Sequence, residues 1–311
     1  MKSRRENSVL GNHREKKKTL QTNKKKGRYK RIRLWEKNHM LWRGLYEPDR
    51  QTNSAVMSQF RLQLRVVFVA LLPAAAAAAA AFPSPWPSDC SDVYRSGSGR
   101  DGVYTVYPAG PTSPVQVYCD MSQDDGDASA EKWTVIQRRQ DGTVNFFMKW
   151  DHYKDGFGSA AGEYWLGLET MHLLTQAKSY ELRVDMEDFE GQKVFAHYSD
   201  FSVGPESDGY RLSLGSFVKG AAGDSLSLHN GQKFTTTDRD QDTHSSKCAR
   251  LAYGAFWYAA CFGANPNGIY TWGPSPRAAG VQWNTFKGLD SSLKTMIMKI
   301  RPAATQKLSQ L

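Results

Sequence analysis

Residues 234–268 read FTTTDRDQDTHSSKCARLAYGAFWYAACFGANPNG, the stretch from which the fold of this chain is read. Three alternating carboxylates, Asp238, Asp240 and Asp242, stand ahead of two cysteines, Cys248 and Cys261, thirteen positions apart. Alternating acids set hard oxygen ligands on one side of a short loop, which suits a calcium ion that takes about six to eight oxygens. A bridge between the two cysteines would close a small ring and stiffen the loop beside it. Calcium beside a disulfide points outside the cell, to a binding module rather than a cytosolic enzyme. Such acids also occur in plain solvated loops, and the EF-hand is excluded. Counted from Asp238, its sixth and twelfth positions hold Thr243 and Ala249 where Gly and Glu are required. Any calcium site here is a different loop, with backbone carbonyls completing the ligand set.

The same stretch resembles a known signature. Phe256-Trp257-Tyr258-Ala259-Ala260-Cys261, then Ala264 and Asn267-Gly268, is similar to the signature of the fibrinogen C-terminal domain family. Gly162-Glu163-Tyr164-Trp165-Leu166-Gly167-Leu168 looks like the family's central run. Asp89-Cys90, Gly102-Val103-Tyr104 and Val117-Tyr118-Cys119-Asp120-Met121 resemble its opening, and Lys299-Ile300-Arg301-Pro302 its end. The match runs from about Asp89 to Pro302, and the runs 180–189 and 223–228 look most like microfibril-associated members. Phe256 departs from the pattern, standing where the signature usually has Trp.

Charge divides the chain. Residues 1–65 hold 19 Lys/Arg against 5 Asp/Glu, whereas residues 66–311 hold 22 against 26. The overall +10 therefore belongs to the leader, and nothing in the net charge of the remainder attracts phosphates, so no nucleic-acid partner is expected. Residues 57–81 read as a secretory signal, with Met57 as its start, Arg61 and Arg65 before an apolar run, and alanines up to Ala81. Residues 1–56 are then a basic leader arising from gene prediction or an alternative start. The alternative is a signal anchor, disfavoured because half of the run is weakly hydrophobic alanine. Residues 82–88 form a proline-rich lead-in, 89–303 the fibrinogen C-terminal-like domain, and 304–311 a tail. The location expected is the extracellular space or matrix.

The four cysteines make an even count in an exported domain, which reads as two disulfides. Spacing suggests Cys90–Cys119 and Cys248–Cys261, a pairing that the resemblance also implies, and leaves none to cross-link chains. Self-association is accordingly expected as a non-covalent homo-oligomer. The absence of any C-x-x-C argues against structural zinc.

The fold expected is α+β with a central antiparallel sheet, few short helices and a loop-rich C-terminal part. Tyr180, Leu182, Val184 and Met186 alternate with Glu181, Arg183, Asp185 and Glu187, the period of a half-buried strand. Further strands are predicted at 103–107, 115–119, 133–139, 194–201, 210–214 and 295–300, and helices at 168–176 and 150–156. Nine Trp, fourteen Tyr and fourteen Phe read as core packing in a sheet protein. Gly97-Ser-Gly-Arg-Asp-Gly102 matches G-x-G-x-x-G but leads into a strand, so dinucleotide binding is rejected. With no H-E-x-x-H or G-x-S-x-G either, the chain is not expected to be an enzyme. No Asn-x-Ser/Thr acceptor occurs.

The resemblance carries over residue by residue. Asp240 and Asp242 fall on the family's calcium carboxylates, and His244 and Ser246 on its carbonyl donors; Asp238 matches no direct ligand and is left as supporting charge. Relatives that bind acetyl groups do so beside the second disulfide, often with a cis peptide before the cysteine, here Ala260-Cys261. The lining positions are Tyr253, Ala260, Phe262, Arg277 and Ala278. Phe262 replaces a His, Ala252 replaces a Tyr with Tyr253 beside it, and Arg277-Ala278 replaces Tyr-Ala. These changes speak against neutral acetylated ligands and, through Arg277, for anionic ones. The function expected is a secreted calcium-binding extracellular-matrix protein associating with elastic-fibre or collagen components, whether protein or glycan. The alternative is a soluble innate-immune lectin for acetylated glycans.

Overall fold

The computed structural model describes residues 86–122, 131–275 and 278–303. The leader, the signal segment, most of the lead-in, the tail and Arg277 lie outside them. Asp89 starts α1 (Cys90–Arg95) by accepting the Asp92 amide on its side chain at 3.0 Å. Then follow β1 (Gly102–Val106), β2 (Val115–Asp120), β3 (Trp133–Arg139), α2 (Trp150–Asp155), β4 (Phe157–Gly158), β5 (Tyr164–Trp165) and α3 (Leu168–Ala177). The middle holds β6 (Tyr180–Glu187), β7 (Lys193–Val203), β8 (Leu212–Leu214) and β9 (Phe217–Lys219). The last part is nearly strandless: α4 (Cys248–Leu251), β10 (Ala264–Asn265), β11 (Gln282–Trp283) and α5 (Asn284–Lys287), before β12 (Thr295–Pro302) returns to the sheet.

Among the described residues ten strands form one sheet in the order β1-β2-β3-β12-β6-β7-β8, with β4 and β5 attached at β3 and β9 at β7. Each pairing is antiparallel, so the predicted α+β sheet is present. The C-terminal strand β12 sits in the middle, between β3 and β6, which ties the end of the chain into the core. Alternation in β6 holds: Tyr180, Leu182, Val184 and Met186 are buried, and the charged residues between them are half-buried. On that charged face Lys299 of β12 sits 2.7 Å from both Asp120 and Asp185, which compensates its burial.

Below the sheet, aromatic rings interlock. Phe234 lies 5.2 Å from Tyr153, 5.6 Å from Trp165 and 5.2 Å from Trp257, so one ring joins α2, β5 and the C-terminal part. The aromatic richness is thus largely core.

The predicted strands 133–139 and 115–119 and helix 168–176 fall within a residue or so of their observed bounds. Three boundaries need correction. The strand read as 103–107 is Gly102–Val106, because the Tyr107 amide turns to the Pro87 carbonyl. Tyr210 does not open a strand; its backbone is left-handed at φ 49°, and β8 starts at Leu212. The helix read as 150–156 ends at Asp155, since Gly156 has φ 92°. Helix α1, six residues at Cys90–Arg95, was not predicted.

Candidate calcium loop and recognition segment

The acidic loop starts from a fixed base. Thr235 and Phe256 exchange backbone hydrogen bonds of 2.9 and 3.2 Å, which seats the loop against the Phe-Trp-Tyr run. The Asp238 Oδ1 accepts the Trp150 amide at 3.0 Å and the Thr236 hydroxyl at 2.8 Å. The carboxylate thereby satisfies an amide at the first turn of α2.

Asp242 is the hinge of the loop. Its Oδ1 accepts the His244 amide at 3.0 Å and its Oδ2 the Cys248 amide at 2.9 Å. Burial and the neighbouring Asp240 carboxylate push the Asp242 carboxyl up, against the pull of those two amides. The Lys247 ammonium lies 3.6 Å from the Asp240 carboxylate. The His244 ring closes on its own loop, its Nδ1 lying 2.9 Å from the Ser246 nitrogen and 2.8 Å from the Ser246 oxygen. One ring nitrogen cannot accept and donate at once, so in one tautomer the Ser246 oxygen is free to bind a cation. The ring also lies within 4.8 Å of the sulfurs of Cys248 and Cys261, but those sulfurs are joined and offer no thiolate.

Both predicted disulfides, Cys90–Cys119 and Cys248–Cys261, are present, and no cysteine is free. The Ala260–Cys261 peptide is cis. Tyr253, left-handed at φ 49°, turns outward and meets Phe147 with ring centroids 5.9 Å apart. Phe262 is half-buried against Tyr258 at 5.4 Å, and Ala252 is fully buried. Ala260 is exposed, and Ala278, at φ 54°, lies next to Ala279, whose carbonyl accepts the Ile269 amide.

Three functional supports escaped the sequence reading. His229 is fully buried: its Nδ1 lies 2.7 Å from the Trp257 carbonyl, and its Nε2 lies 3.1 Å from the amides of Gly263 and Ala264. Nε2 must accept from those amides, so Nδ1 carries the proton, and the ring clamps both sides of Cys261. Burial holds its pKa down to about 4. The other two supports, Arg139 and Glu163, form a buried pair. Arg139 donates to the carbonyls of Pro266 and Gly268 at 3.1 and 2.7 Å, while Glu163 accepts the amides of Gln140, Asp141, Gly142 and Val144. A lone His and a strand-end Arg carry no local signal; Glu163 lay within the quoted run but without a role.

Comparison with known proteins agrees with this architecture. The family model for the C-terminal globular domain of fibrinogen beta and gamma chains matches residues 86–303. Human microfibril-associated glycoprotein 4 is 52% identical over 223 residues, covering 70% of this chain and 86% of that protein. Human fibrinogen C domain-containing protein 1 is 49% identical over 219 residues, covering 68% of this chain and 46% of that protein. The fibrinogen-like globe domain of human ANGPTL2 superposes with a TM-score of 0.66 at 46% identity, over 71% of this chain and all of that one. This family is one of recognition and structural domains rather than enzymes, as the absence of catalytic motifs led us to expect. The chain belongs to the fibrinogen C-terminal domain family.

Proposed function

We propose that this chain is a secreted, calcium-binding recognition protein of the extracellular matrix that associates with elastic-fibre or collagen components. The observation that carries the reading is the 52% identity, over 86% of its length, to a protein named for its association with microfibrils. Two intrachain disulfides agree with an oxidising compartment. Self-association through this chain is non-covalent, because all its cysteines are paired.

Calcium fits the residues present. Burial and the neighbouring Asp240 carboxylate raise the Asp242 carboxyl, so the loop carries two acids whose negative charges disfavour each other. A divalent cation relieves that repulsion, with the carbonyl oxygens of His244 and Ser246 as further hard donors. Phe262 supplies no hydrogen-bond donor where acetyl-binding relatives have an imidazole, so an acetyl-specific lectin is the weaker reading.

Co-sedimentation of the secreted protein with elastic-fibre and collagen preparations, with calcium or with chelator, is the test. Calcium-dependent sedimentation supports the proposal. Retention on acetylated resin with release by free acetate, and no sedimentation, would replace it with the lectin.

A further inference from the structure

The two disulfides differ in how they meet solvent. Cys90, Cys119 and Cys248 are fully buried, whereas Cys261 is half-buried. Thiol–disulfide exchange needs a thiolate to reach a sulfur. A reductant in solution therefore has one sulfur of the four to attack, that of Cys261, and the Cys90–Cys119 bridge is shielded.

Opening the Cys248–Cys261 bridge exposes a donor set that the closed form withholds. A ring nitrogen of His244 and the two sulfurs lie within 4.8 Å of one another. The Cα atoms of Cys248 and Cys261 stand 5.5 Å apart, which lets both thiolates face one ion. In a tetrahedral zinc site, with Zn–S about 2.3 Å and Zn–N about 2.0–2.1 Å, neighbouring donors are about 3.5–3.8 Å apart. The imidazole has to close by about 1 Å to meet that geometry. It can do so because His244 belongs to an exposed loop and not to the buried core. Two other candidate donors nearby are already engaged. His229 Nε2 accepts the Gly263 and Ala264 amides, and Asp242 Oδ2 accepts the Cys248 amide. Water takes the fourth position.

We propose that Cys248, Cys261 and His244 form a zinc site that opens on reduction of the second disulfide. A thiolate of a dithiol reductant attacks the Cys261 sulfur; the S–S bond breaks and its electron pair leaves on Cys248. The reductant's second thiolate then displaces Cys261 from the mixed disulfide. The reductant is thereby oxidised to a disulfide, and the chain gains two thiols. Zinc takes both as thiolates, releasing two protons, with the His244 nitrogen as third donor. Thiolate and imidazole donors select zinc over calcium, which takes oxygen. The ion then replaces the covalent bond as the staple of the 248–261 ring. This site lies beyond the matrix reading, which does not depend on it.

The test uses the intact secreted protein, treated with dithiothreitol, freed of it under argon, and titrated with zinc against a chromophoric chelator in saturating calcium. Alkylation mapping should find thiols at Cys248 and Cys261 and none at Cys90 and Cys119. One zinc per chain should bind after reduction and none before it. Cobalt in place of zinc should give thiolate-to-metal charge-transfer absorption. His244→Ala should weaken zinc binding by about tenfold or more, with little change in the melting temperature of the oxidised protein. Cys248→Ser combined with Cys261→Ser should abolish the binding. No zinc uptake by the reduced protein overturns the proposal. So does uptake undiminished by His244→Ala, or opening of Cys90–Cys119 first. Calcium-dependent sedimentation of the oxidised protein is scored separately, and its failure would count against the matrix reading alone.

Discussion

Asp242 accepts the backbone N–H of Cys248 at 2.9 Å, so one carboxylate joins the acidic loop to the disulfide ring. The bond satisfies an amide at the start of α4 that has no partner within that helix. A cation held by Asp242 would therefore draw on the same side chain that anchors the recognition segment.

The melting temperature should rise with calcium, because a ligand bound by the folded state alone stabilises it by mass action. The combined Asp240→Asn and Asp242→Asn variant should lose that rise. The rise should also shrink on acidification, since the upward-shifted Asp242 carboxyl takes up a proton sooner than an ordinary aspartate. Scanning calorimetry at several pH values checks both; a double variant with an undiminished response removes these residues from the ligand set.

His229 predicts a pH dependence. Its pKa is about 4 folded against 6.5 unfolded, so between those values the unfolded chain binds the extra proton. Stability should fall as pH drops from 6.5 to 4, by about 3 kcal/mol at 1.36 kcal/mol per unit, and then level off. His229→Gln has no such titration. Denaturant unfolding of both proteins across this range gives the difference, and parallel curves would refute the assignment.

Glu163 is buried with four backbone amides and the Arg139 guanidinium, whose Nε lies 3.7 Å away. Glu163→Ala should destabilise by about 3–5 kcal/mol, because it strands a buried cation and several donors. Urea midpoints measure this, and Glu163→Gln, which keeps an acceptor, should fall between the two.

Gly254→Ala should destabilise by about 1–3 kcal/mol, since the new Cβ presses on the Asn267 carbonyl and neither backbone can yield freely. Thermal unfolding checks it. An unchanged midpoint would show that the junction between the disulfide ring and the 267–272 loop is looser than the structure has it.

What the sequence determined by itself was set by short-range order and by quoted runs. The alternation from Tyr180 to Glu187 dictates a half-buried strand because the pleat sends successive side chains to opposite faces. The disulfide pairs were legible because only four cysteines occur and each pairs with the one nearest to it in the chain. Tertiary structure alone decided that β12 lies between β3 and β6, since pairing partners up to 166 residues apart leave no local trace. It likewise decided that Asp238 caps α2 across 88 positions, that Arg139 reaches Gly268 across 129, and that His229 holds the Gly263 amide across 34. It also brought Tyr253 onto Phe147, across 106 positions. A side chain's role in these cases follows from which buried donor or acceptor needs a partner, and that need exists only once distant segments have been brought together and water excluded.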